Sequence, residues 1–127
     1  MREIKFRAWD KARKIMGEVI NIQFMNMVIP QVMFVIINET NPRPLQVPEE
    51  ALLIQFTGLH DRNGKEIYEG DVVRQEICSK KDYTVKWCEQ EAGFNLYELD
   101  DGKFQFGSVG WNSTVIGNIH ESPELLK

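Results

Sequence analysis

Apolar and polar residues alternate with period two along much of this chain, the spacing of strands that bury one face. Ile4, Phe6 and Ala8 alternate with Lys5, Arg7 and Trp9. This predicts a strand over residues 2–9, with an aliphatic side inward and a basic, aromatic side outward. A turn follows at residues 10–14. A second strand is expected from about residue 15 to 24, with Ile20, Ile22 and Phe24 on one face. Residues 25–37 are almost wholly apolar. Their β-branched members (Val28, Ile29, Val32, Val35, Ile36, Ile37) favour strand over helix, and Pro30 marks an edge or a break. Both faces of residues 32–37 are apolar. Val32, Phe34, Val35, Ile36 and Ile37 therefore form either a strand buried on both sides or an interface with another copy of the chain.

Pro42, Pro44 and Pro48 punctuate residues 38–50, which read as an extended linker or mobile loop. The expected boundary lies there, between an N-terminal β segment (residues 1–50) and a C-terminal domain (residues 51–127). Leu52, Ile54 and Phe56 open that domain with another alternating run. Asn63-Gly64 follows, a pair that accepts the positive φ angles of a type I′ hairpin turn. Ile67-Tyr68 resumes the pattern, Gly70-Asp71 breaks it, and Val72-Val73 restarts it. Tyr83, Val85 and Trp87 form the inward face of a later strand. Residues 93–99, Phe104 with Phe106, and residues 114–119 complete a set of short strands at the spacing of a small barrel. Ser122-Pro123 reads as an N-cap followed by proline in the first helical position, enough for a turn of helix.

Composition adds bounds rather than chemistry. The chain has 127 residues, 43% of them hydrophobic, with three Trp and seven Phe, which suits a packed core without a metal or disulfide staple. Its start lacks the apolar stretch of a signal peptide, and no apolar run approaches the length of a membrane span. The expectation is a soluble cytoplasmic protein without a membrane partner. Cys78 and Cys88 lack metal-site spacing and are expected as free thiols on neighbouring strands. The net charge of −4 is uneven: residues 1–14 carry six basic residues against Glu3 and Asp10, so the remainder is acidic. An acidic body is a poor non-specific ligand for nucleic acid.

Three stretches together resemble the YopX family of bacteriophage and prophage proteins. They are Ile4-Lys5-Phe6-Arg7-Ala8-Trp9-Asp10, the central run from Ile54 through His60-Asp61-Arg62-Asn63-Gly64 to Val73, and Val115-Ile116-Gly117-Asn118-Ile119-His120-Glu121. The resemblance spans most of the chain, with a gap at about residues 25–50. It implies a mainly β fold whose C-terminal part is an SH3-like barrel, and a phage-encoded protein acting in a bacterial cytoplasm. It carries over no catalytic residue.

Candidate sites are few. Lys5, Arg7 and Trp9, joined by Lys11, Arg13 and Lys14, form the best binding patch: the cations suit phosphate and the indole suits a base. The bland alternative is that Trp9 packs in a groove while the charges stay solvated. His60, Asp61 and His120 could serve an acid-base site if the fold brings them together, but none lies in a nucleophile or general-base motif. The polar rim around Asp61 otherwise reads as a solvated loop. It fails the calcium-loop pattern, since the glycine comes too early and no closing Glu follows. Trp111 either anchors a partner or caps one end of the barrel. No cofactor is expected. The expected function is that of a non-enzymatic phage accessory protein working through protein contacts, as a homo-oligomer or with a host or phage protein. The alternatives are nucleic-acid binding by the basic first strand, or a small enzyme.

Overall fold

The structure, a computed structural model, describes residues 3–26, 31–75, 81–99, 104–105 and 113–126. The chain is built almost entirely of antiparallel strands: β1 (Phe6–Asp10), β2 (Ile15–Asn26), β3 (Gln31–Ile37), β4 (Pro44–Val47), β5 (Ala51–His60), β6 (Glu66–Tyr68), β7 (Asp71–Gln75), β8 (Lys81–Cys88), β9 (Gly93–Glu98), β10 (Phe104–Gln105) and β11 (Ser113–Asn118). The strands pair in two sheets, in the orders β4-β3-β2-β1-β5-β6 and β10-β9-β8-β7-β11. A short 3-10 helix covers Pro123–Leu126. Cys78, Phe106, Trp111 and residues 27–30 lie outside the described residues.

Two compact units divide the chain within β5, between Gln55 and Phe56. In the first (residues 4–55), β1 lies between β2 and the opening half of β5. Ala8 stands opposite Gly17 on one side and Leu53 on the other. The core is Ala8, Val35, Ile37, Leu45 and Ala51, with Val19, Ile22, Val47 and Leu53 packed on it. Ladder partners share a sheet face, and Val35 opposite both Ile22 and Leu45 places three core residues on one face. Gly17 lets the Ile37 side chain approach the β2 backbone closely: a Cβ there would collide with its Cγ2.

This unit departs from the sequence pattern in three places. Residues 38–50 contain β4, which pairs with β3 from Met33 to Ile36. Leu45 buries itself there, and Pro44 sits at the strand's first position on a sheet edge, where a missing N–H is tolerated. Ile4 precedes β1 and is 71% exposed. The register of β2 slips between Val19 and Asn21, a bulge that separates Ile20 from the face expected to be shared with Ile22 and Phe24, both of which lie past it in unbroken register.

In the second unit (residues 56–127), the core is Ile67, Val73, Tyr83, Val85 and Leu96, with Phe94 and Val115 packed against it. Val85 stands opposite Leu96 and Val73 opposite Tyr83, so the period-two pattern is realised as expected over β7, β8 and β9. Trp87 continues that face but ends half outside, its ring edge-on to Phe94 at 5.2 Å. The expected closed barrel is corrected: the five-stranded sheet stays open, with no pairing between its edge strands β10 and β11 among the described residues. A loop, rather than a strand, covers the outer side of β11. Arg62 donates its N–H to the Ser113 carbonyl at 3.0 Å, and the Val115 N–H goes to the Asp61 carboxylate at 2.9 Å. Gly117 lets the 3-10 helix approach β11, since a Cβ there would lie 2.7 Å from Oγ of Ser122.

Candidate functional site

Of the polar residues of the central run, Asp61 and Asp71 are buried, while His60, Arg62, Asn63 and Lys65 stay exposed. Asp61 is buried, and its carboxylate accepts three backbone N–H groups: Asn63 at 2.8 Å, Lys65 at 2.9 Å and Val115 at 2.9 Å. Gly64 N–H donates to the Asp61 carbonyl, and Asp61 N–H to the Lys65 carbonyl. The β5–β6 loop is therefore built around one carboxylate. It spans five residues between the paired His60 and Glu66, with positive φ at Gly64 (82°) and not at Asn63. The two-residue type I′ turn is thus replaced by a longer loop, because Asp61 supplies the local hydrogen bonds that a tighter turn would make with backbone alone. Burial pushes the Asp61 carboxyl up, but the donors from Val115, Lys65 and Asn63 outweigh it and leave the pKa below its ordinary value.

Two further buried aspartates organise turns in the same way. Asp71 accepts the Tyr68 N–H at 2.8 Å across the turn that holds Gly70, whose φ is 84°. Asp10 accepts N–H groups from Ala12 and Arg13 at 3.0 Å each and the Arg13 Nε at 2.7 Å. Burial raises the Asp10 pKa, and Arg13 together with Ala12 brings it below the ordinary value. Asn118 plays the equivalent part after β11, its Oδ1 accepting from His120 and Glu121.

The basic patch is partly neutralised inside its own unit. Arg13 bridges Asp10 and Glu39, at 2.7 Å to each. Arg7 stands between Glu18 and Ile54 in the ladders, and Trp9 between Met16 and Leu52. Lys5, Arg7 and Trp9 are each half-buried; Lys11 and Lys14 are exposed. Residues 4–55 hold six basic residues against five acidic ones.

His60 is exposed, with its ring edge-on to Phe56 at 5.6 Å. His120 lies beside Gly70. Asp61 faces backbone donors rather than an open site. Among the described residues, no cluster of His, Cys, Asp or Glu is placed to hold a metal. Cys88 is a buried free thiol.

The apolar run before the prolines divides by face. Val35 and Ile37 are core of their own unit, while Phe34 and Ile36 are half-buried on the other face; the Val32 side chain lies outside the described residues. The more exposed apolar surface is one strand earlier, on β2. There Ile20, Phe24 and Met25 are 55%, 60% and 49% exposed. Alternation set Ile20 and Phe24 on one face with Ile22 but did not show whether that face is covered along its length, so periodicity alone missed their exposure. The nearest warning in the sequence is that residues 20–26 carry no charge at all.

Fold and site define an all-β protein of two units whose turns are pinned by buried carboxylates. The chain belongs to the YopX family: the family model described as YopX protein matches residues 5–127. The fold is similar to the crystal structure of protein EF1440 from Enterococcus faecalis, at 24% identity and a TM-score of 0.60, with both chains covered in full. None of the curated proteins matches. No helix among the described residues is long and apolar enough to cross a membrane.

Proposed function

We propose that this chain is a phage- or prophage-encoded accessory protein that acts in the bacterial cytoplasm by protein contact rather than by catalysis. The observation that carries this reading is the exposed apolar set on β2, Ile20, Phe24 and Met25. Apolar side chains grouped on one strand and left to water favour a protein partner. Asp61, the carboxylate of the candidate acid-base set, is instead engaged with backbone N–H groups. The test is recovery of the tagged protein from infected or lysogenic cells, with both protein and nucleic acid identified. The expected result is a protein partner, another copy included, whose recovery is lost in the double variant Phe24→Lys, Met25→Lys. Recovery of nucleic acid alone, or of nothing, overturns the reading.

A further inference from the structure

Asp61 holds three consecutive backbone nitrogens. Its Oδ1 accepts the N–H of Asn63 at 2.8 Å and that of Lys65 at 2.9 Å, and its carbonyl accepts the N–H of Gly64 between them at 3.0 Å. The last bond closes a β-turn over Asp61–Gly64. Neither central residue, Arg62 or Asn63, has a positive φ, as in a type I turn. Asn63 and Gly64 are exposed, and a Cβ at Gly64 would meet nothing within 4 Å. An Asn-Gly pair open to water has a chemistry of its own. The glycine nitrogen, with no side chain beside it, can attack the side-chain amide of the asparagine.

We propose that Asn63-Gly64 is a site of spontaneous conversion of asparagine to isoaspartate, and that Asp61 is its guard. In the conversion, the Gly64 nitrogen gives its proton to a solvent base and bonds to Cγ of Asn63. The Cγ–Nδ2 bond breaks and ammonia leaves. Water then opens the cyclic imide: attack at the main-chain carbonyl leaves isoaspartate, attack at Cγ leaves aspartate. Nothing is oxidised or reduced. Two features of the folded loop oppose the first step. The Gly64 N–H is engaged with the Asp61 carbonyl, a bond that must open before the nitrogen can attack. Ring closure also needs Cβ of Asn63 turned onto that nitrogen, whereas the third residue of a type I turn holds ψ at about 0°, with Cβ swung away. The flanking N–H groups of Asn63 and Lys65, both on one carboxylate oxygen, hold this conformation. The conversion therefore runs when the loop opens locally. Hydrolysis makes it one-way. Isoaspartate adds a methylene to the backbone between the Asn63 and Lys65 donors, so the loop cannot close again on Asp61, and the hold on the Val115 N–H is lost with it.

The test follows position 63 of the full chain by peptide mapping and mass spectrometry during storage in mildly alkaline buffer. Electron-transfer fragmentation tells isoaspartate from aspartate. Conversion is expected to be at least about tenfold slower in the folded wild type than in the same chain held in urea, because it waits on local opening. Asp61→Asn, checked as folded by circular dichroism, raises the folded rate several-fold. Leu96→Ala, which weakens the same unit away from the loop, leaves it near the wild-type rate. A second measurement needs no variant: in urea too dilute to unfold the chain, the conversion rate rises in step with hydrogen exchange at the Gly64 amide. In the purified converted chain, the Val115 amide exchanges faster than before. Equal rates in the folded and unfolded chain, no conversion at position 63 in urea, or a rate that does not follow Gly64 exchange overturns the proposal. So does a folded Asp61→Asn chain that converts no faster than wild type, or an equal acceleration by Leu96→Ala. Unchanged Val115 exchange in the converted chain overturns the release of β11.

Discussion

The Asp61 carboxylate accepts the backbone N–H of Val115, 54 residues further along the chain, at 2.9 Å. Together with the bonds from Asn63 and Lys65, this makes one side chain both the centre of the β5–β6 loop and the clasp between that loop and β11. Replacement by Asn keeps the shape but sets an amide NH₂ where a carboxylate oxygen accepted an N–H. The expected loss at pH 7 is about 2 kcal/mol, the range for hydrogen bonds to a charged group. The pH dependence follows from the sign of the shift. The folded pKa lies below the ordinary 3.8, so the contribution is fully present above that value and fades as pH falls through the folded value. Denaturant midpoints should differ between wild type and Asp61→Asn at pH 7, and the difference should shrink as pH falls below 3.8.

Gly17 and Gly64 are required for different reasons, and alanine should separate them. At Gly64 the surroundings are open and φ is 82°, so Gly64→Ala should lose about 1 kcal/mol from backbone strain alone. At Gly17 the obstacle is Ile37. Gly17→Ala should lose about 1–3 kcal/mol by overpacking. A double-mutant cycle with Ile37→Ala should show coupling, whereas Gly64→Ala with Ile37→Ala should be additive.

Thr57 sits where the β5–β6 register slips, beside Gly58 with φ of 88°. Its hydroxyl donates to the Ile67 carbonyl at 2.7 Å and accepts from the Leu59 N–H at 3.1 Å. Thr57→Val preserves volume and removes both bonds in a buried setting. Thermal or denaturant unfolding should register a loss of about 1–3 kcal/mol.

Among the described residues, each unit has one fully buried leucine in its core, Leu45 in the first and Leu96 in the second. Leu45→Ala and Leu96→Ala should each lose about 2–5 kcal/mol, measured by denaturant unfolding. A loss under about 1 kcal/mol at either position would contradict the packing described for that unit.

Much of the fold was legible because side-chain alternation records which face of a strand meets the core. Val73, Tyr83, Val85 and Leu96 follow that rule. The stretches that carry the family resemblance are legible for a related reason: Asp10, Asp61, Gly64, Gly70, Asp71 and Asn118 act locally, fixing turns within a few residues of themselves. Their types could be read as turn chemistry, though the five-residue loop around Asp61 was not distinguished from a two-residue turn at Asn63-Gly64. The strand at Pro44–Val47 was hidden because its partner, β3, decides its state more than its prolines do.

The sequence by itself determined the mainly β class, the positions of most strands and the family. These depend on period-two patterning and on residues whose conformational preferences act over a few positions. Only the tertiary structure decided which side chains remain outside. Whether an apolar residue is covered depends on the far end of the chain and on strand length. Val35 is buried by β2 and β4, while Phe24 extends past the end of β1 and stays exposed. The charge pattern of residues 1–14 likewise promised a cationic surface, and folding set Glu39 and Glu18 against it. Long-range pairing, which no local window contains, set Glu39 beside Arg13 and left Ile20, Phe24 and Met25 of β2 exposed.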